Sequence, residues 1–141
     1  MILYPDALLA LEYEMSTDIL TVPWPNLTGA ALPELEVALT KLIDAIKHYD
    51  VKRLLIDSQN SRVDIPQEIY KPVIFGLIQA LTKTRLTKMA RVLPEDVLRE
   101  RQLRSYNAEM ASKNMFTFQT GEFATRAAAR HWLSEAEEFI R

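Results

Sequence analysis

Three observations predict an α/β fold with a mostly parallel sheet. Short apolar runs of strand length ("LLALEYEM", "ILTVPW", "VKRLLID", "KMARVL" and "MFTFQ") recur along the 141 residues. Between them the apolar spacing changes from a period of two to one of 3.6, as when strands alternate with helices. There are three glycines and no low-complexity tract, so the elements follow one another without a linker. The expected order is β-β-α-β-α-β-α-β-α, one domain over residues 1–141, long enough for a single core. Strands separated by helices need crossover connections, which set parallel strands side by side, with an antiparallel N-terminal hairpin beside them.

In "LLALEYEM", Leu9, Leu11, Tyr13 and Met15 share one face and Glu12 and Glu14 the other, the alternation of a half-buried strand. Ser16, Thr17 and Asp18 supply a turn, "ILTVPW" returns antiparallel, and Pro23 and Pro25 end it because proline cannot donate to a ladder. From Leu32 the residues Leu35, Ala38, Leu39, Leu42, Ile43 and Ile46 fall on one helical face, with Pro33 and Glu34 suited to a helix start. "VKRLLID" is a short apolar strand. The next helix is expected from about Pro66, where Asp64 and Gln67 have capping-box spacing, and Tyr70, Val73, Ile74, Leu77, Ile78 and Leu81 form its stripe. Pro72 lies inside that stripe and predicts a kink or a displaced start.

"KMARVL" is the fourth strand. Pro94, Glu95 and Asp96 open a surface helix, "PEDVLRERQLRSYNAEM", acids being favoured at the positive end of the helix dipole. "MFTFQ" is the expected last strand. "EFATRAAARHWLSEAEEFI" is the closing helix, with Ala129, Trp132, Leu133, Ala136 and Ile140 inward.

Composition narrows the chemistry. Without cysteine there are no disulfides and no thiolate metal sites. No metal site and no cofactor is expected. The first basic residue is Lys41, unlike the charged start of a secretory signal, and the apolar run "PVIFGLIQAL" is too short to cross a bilayer. A cytoplasmic protein without stable membrane insertion is the expectation. The net charge of −2 conceals an asymmetry: residues 1–50 carry eight acids against Lys41 and Lys47, whereas residues 83–104 carry seven cations against three acids. Such a split suits an anionic partner or a charge-matched homodimer; a solvated helix face is the simpler account. Nucleic-acid binding is not expected of an acidic chain whose basic segment has no aromatic platform.

The stretch "RLLIDSQNSRVDIP" holds the candidate ligand or partner loop, Asp57, Ser58, Asn60 and Asp64. Asp57 and Ser58 fall at the carboxyl end of a parallel strand, where ligands collect in open α/β sheets. A magnesium-dependent phospho-aspartate site needs further acids at neighbouring strand ends, and these offer Met15, Ser16, Trp24, Leu93 and Pro94 instead. No glycine loop is present to cradle a phosphate. Ser58 with His48 or His131, and Asp57 with Asp64, are the catalytic pairs available. The plainer reading, in which Asp57 and Ser58 bond nearby backbone amides and Asp64 caps a helix, is preferred, and no catalytic residue is assigned.

Two early strands, a helix, "VKRLLIDSQNS", a loop, "DIPQEIYKPVIFGLI" and "KMARVL" together resemble the STAS fold of bacterial anti-sigma-factor antagonists. More closely, they resemble small bacterial proteins with a STAS-like domain, whose fold is shared with CRAL-TRIO lipid-transfer domains. The resemblance covers most of the chain and rests on element order and hydrophobic pattern. Phospho-switch antagonists carry an Asp-Ser-Ser-Gly-like run at the start of the helix after the third strand, and a serine there is phosphorylated. The matching place here reads Asp64-Ile65-Pro66-Gln67, so the acceptor hydroxyl is missing.

The resemblance implies a non-enzymatic regulatory module that binds a partner protein or itself, as a homodimer. An exposed edge or a basic patch of Arg99, Arg101 and Arg104 would form the contact. Trp24, Tyr70 and Tyr106 are the aromatic anchors available to an interface, although burial is the commoner fate of such residues. The alternative is a carrier or sensor of a small apolar or anionic ligand in a CRAL-TRIO-like pocket. That pocket would lie between the sheet and the helix holding Phe75 and Leu77, with an arginine or lysine for the headgroup.

Overall fold

The computed structural model describes residues 2–3, 8–94, 97 and 117–135. Strand β1 (Ile2–Leu3) precedes the hairpin of β2 (Leu11–Glu14) and β3 (Ile19–Pro23). After β4 (Leu27–Thr28) and a 3-10 turn at Gly29–Ala31, helix α1 spans Leu32–His48. Then come β5 (Arg53–Asp57), β6 (Val63–Asp64), α2 (Gln67–Thr82) and β7 (Lys88–Val92). Strand β8 (Gln119–Phe123) and helix α3 (Arg126–Ser134) follow. Six strands form one mixed sheet in the order β1-β2-β3-β5-β7-β8; β1, β2 and β3 pair antiparallel, and β3, β5, β7 and β8 run parallel. Strands β4 and β6 form a separate parallel pair beside it. The α/β fold with an N-terminal hairpin is therefore present. Strands β1, β4 and β6 are additions to the expected order.

Alternation along each strand sorts the core into two layers. Leu20, Val22, Leu54, Ile56 and Met89 join Leu35, Leu39, Leu42 and Ile46 of α1 and Leu77 and Leu81 of α2. Ile19, Leu55, Ala90 and Val92 face the other way, onto Ala129 and Leu133 of α3. Both α1 and α2 thus cover one face and α3 the other, because a sheet buried on both sides needs apolar residues at consecutive positions. Gly121 makes a close approach: a Cβ there would lie 2.9 Å from the Phe123 ring and force it to shift, and that ring rests against Trp132 at 5.5 Å between centroids.

Several boundaries differ from expectation. Met15 does not face inward with Tyr13; it is 78% exposed, since β2 stops at Glu14 and the chain turns through Asp18, whose φ is 55°. The last described strand is Gln119–Phe123, paired residue for residue with Lys88–Val92; of the expected "MFTFQ", Met115 and Phe116 lie outside the described residues, and Phe118 enters the core just ahead of the strand. The closing helix begins at Arg126, because the Thr125 hydroxyl caps it by accepting from Ala128 N at 3.1 Å, and Glu122 and Phe123 belong to β8. Among the described residues no helix is long and apolar enough to cross a membrane.

At the hairpin end, the Tyr13 hydroxyl donates to Asp18 Oδ1 at 2.7 Å, while Asp18 Oδ2 accepts from Lys52 N at 3.1 Å. Burial first, and then the Asp18 carboxylate, push the Tyr13 phenol up to about 12. A pKa raised in the folded state adds stability that is complete below the unfolded value, near 10, and is lost as pH rises toward 12. The urea midpoint should therefore fall between pH 10 and about 12. Tyr13→Phe should start lower and show a smaller alkaline decline; equal declines in the two proteins would reject this source.

Candidate functional site

The loop that follows β5 is divided between the two faces of the sheet. Asp57 continues the alternation of Leu55 and therefore points toward α3, where its Oδ2 accepts from Arg126 Nε. Its other oxygen accepts from Gln59 N at 3.0 Å, and the side chain is only 10% exposed. A half-buried carboxylate held by a guanidinium at the start of α3 ties that helix to the strand end. The backbone N–H of Ser58 donates to Val92 O at 2.8 Å, extending the ladder between β5 and β7. Asn60 is exposed in the turn that follows.

Asp64 does not cap α2. It pairs with Thr28 in the small sheet, and the helix starts after Pro66 with no side-chain cap. Ile65, where the antagonist pattern has a hydroxyl, is buried in the main core and anchors the loop. Ser61 Oγ donates to Pro25 O at 2.7 Å, and Arg62 N donates to Asn26 Oδ1 at 2.8 Å, so the loop is pinned from both sides. Asp57 and Asp64 thus belong to different sheets with different partners. Neither histidine joins them: His48 stacks edge-on against Tyr49, and His131 sits 3.5 Å from Glu135 on an exposed turn of α3.

The basic segment also resolves into separate roles. Arg85 pairs with Asp50 at 3.5 Å, Arg91 pairs with Glu122 at 3.7 Å, and Lys88 is buried at 2% exposure. The sequence-level charge split is thus partly neutralised within the fold. Arg99, Arg101, Arg104 and Tyr106 lie outside the described residues.

The feature that gathers polar and apolar groups is a cavity of about 370 Å³ between α2 and the sheet. Leu77, Ile78, Leu81, Ile56 and Met89 line its deeper part. Helix α2 runs from the carboxyl ends of the strands back toward their amino ends, so its first residues stand at the strand carboxyl ends. Trp24, Ser58, Ser61, Tyr70, Lys71 and Arg91 line the cavity there. Arg91 is level with Ile56 in the ladder and Met89 with Leu54, which puts the guanidinium two residues nearer that end. The Trp24 indole donates to the Tyr70 hydroxyl at 3.1 Å, and Lys71 Nζ lies 5.5 Å from the centre of the Phe75 ring. Thr120, level with Met89, adds a hydroxyl to the deeper part. A mostly apolar lining with a few polar groups is the composition of small-molecule sites, and this volume is at the small end of their range.

Of the loop residues singled out from sequence, only Ser58 lines this cavity. Phe75 and Leu77 do line it, as do Trp24, which is buried, and Tyr70, which is half-buried. The positions of Arg91 and Lys71 on the cavity are not among the sequence expectations. Arg91 was detectable as a charge inside an apolar strand, but the strand pattern does not say which face it serves. Among the described residues no group of three or more His, Asp or Glu side chains is placed to hold a metal ion. Compared with protein-family models, with curated proteins and with solved structures, the chain matches none of them.

Proposed function

We propose that the protein is a non-enzymatic carrier or sensor that holds a small amphipathic ligand in the cavity beneath α2. The apolar part of the ligand lies against Leu77, Ile78 and Met89, and one polar or anionic group stays near Lys71 and Arg91. The single observation that carries this reading is a mostly apolar lining whose charged groups, Lys71 and Arg91, both stand toward the strand carboxyl ends, beside the apolar Leu93 and Pro94. Arg91 already has Glu122 as a counter-charge, whereas no ion pair is formed by Lys71 among the described residues. Lys71 is therefore the better anchor for an anion. The resemblance to CRAL-TRIO domains argues in the same direction.

A protein-interaction module, including a homodimer, is the competing proposal. The exposed apolar residues Met15, Val37, Val63 and Ile69 favour it, but they sit in the turn after β2, on α1, in β6 and on α2, as single exposed apolar residues ordinarily do. A native mass spectrum of the freshly purified protein separates the two. Extra mass that disappears on denaturation supports the carrier, and a dimer peak without it supports the module. Anilinonaphthalene sulfonate, an apolar dye with one anionic group, is the second probe. Saturable one-to-one binding with energy transfer from Trp24 is expected; neither bound mass nor saturable dye binding would reject the carrier.

A further inference from the structure

Helix α2 has two unlike halves. Its buried residues, Leu77, Ile78 and Leu81, all belong to the second half. In the first half Tyr70, Val73 and Ile74 pack only half-buried against the core, and Ile69 is 50% exposed. The backbone is weaker there too. The helix start has no side-chain cap. Pro72 has no N–H, so the Glu68 carbonyl cannot receive the usual bond from four residues on.

Gly76 marks the junction. Glycine is the costliest helix residue after proline, because it has the most backbone freedom to lose. Packing does not demand it here: a Cβ at Gly76 would meet nothing within 4 Å. A residue that weakens the helix without being needed for close approach stands where the buried half begins. The hydrogen bond from Trp24 to Tyr70 then joins the loosely packed half to the end of β3. Tyr70, Lys71, Ile74 and Phe75 on that half all line the cavity.

We infer that residues 67–75 act as a gate over the cavity, hinged at Gly76 and latched by the Trp24–Tyr70 hydrogen bond, through which ligand enters and leaves. The inference rests on the cavity being a ligand site, but the hinge is testable without any ligand. Hydrogen exchange on the full-length protein should show the amides of residues 73–75 exchanging roughly tenfold faster than those of residues 79–82. Gly76→Ala should slow exchange at residues 73–75 about fivefold, by the helix propensity gained. Pro72→Ala should slow it further, and Tyr70→Phe should speed it about fivefold by removing the latch. Stopped-flow release of anilinonaphthalene sulfonate should change in the same order across the four proteins.

Equal protection of both halves, or no response to Gly76→Ala and Pro72→Ala, overturns the hinge. A hinge seen by exchange with no dye binding keeps the moving segment and rejects the ligand reading. Dye release indifferent to all three substitutions keeps the ligand site and rejects the gate.

Discussion

Lys88→Met is expected to cost about 2–3 kcal/mol of folding stability, a large share of what a domain of this size possesses. Lys88 is 2% exposed, on the sheet face that meets α3. Its Nζ donates to the carbonyls of Trp132 at 2.9 Å and Glu135 at 3.0 Å, and lies 4.9 Å from the centre of the Trp132 ring. Both carbonyls lie at the end of α3; that of Trp132 also accepts from Glu135 N at 3.2 Å, and the ammonium adds a donor to each and suits the negative end of the helix dipole. Methionine keeps most of the volume but leaves both carbonyls without this donor. Relief from desolvating the charge offsets only part of that loss. Urea unfolding followed by tryptophan fluorescence should show a lower midpoint at an unchanged slope. A loss below about 0.5 kcal/mol would mean that water replaces the ammonium without penalty, and that α3 is not held by it.

Met89→Trp should reduce dye or ligand affinity roughly tenfold or more while leaving the thermal midpoint within a few degrees. Met89 projects from β7 into the cavity, with its main chain fixed between β5 and β8. Methionine adapts to irregular space, and an indole in its place occupies volume the ligand would otherwise take. If the cavity is the binding site, binding is lost and the fold is kept. Unchanged affinity in a folded variant would place the ligand elsewhere. A collapse in stability would mean that this space is too small to accept the ring, and hence too small for a ligand of similar width.

Lys88 and Met89 are neighbours in one strand, yet they serve opposite faces of the sheet, and this shows where sequence reasoning ends. Alternation and helical spacing located β2, β3, α1, β5, α2 and β7 to within a few residues, because each buries a continuous apolar face whose period is local. Strand β8 was misplaced because "QTGEF" has no apolar alternation; its pairing with β7 and the rings over Gly121 make it a strand. Asp64 had the spacing of a cap, but pairing with Thr28 across the fold overrode it. The Asp57–Arg126 contact spans sixty-nine positions, and no local pattern announces it.

The sequence by itself determined the α/β class and the antiparallel hairpin beside a parallel sheet. Those properties follow from periodicity and from the rarity of glycine, which are written in short windows. Only the tertiary structure decided which charges are neutralised, which face each strand residue serves, and that the first half of α2 stands over a cavity rather than filling the core. Those outcomes depend on pairs of residues far apart in the chain, whose meeting is fixed by strand register and helix placement.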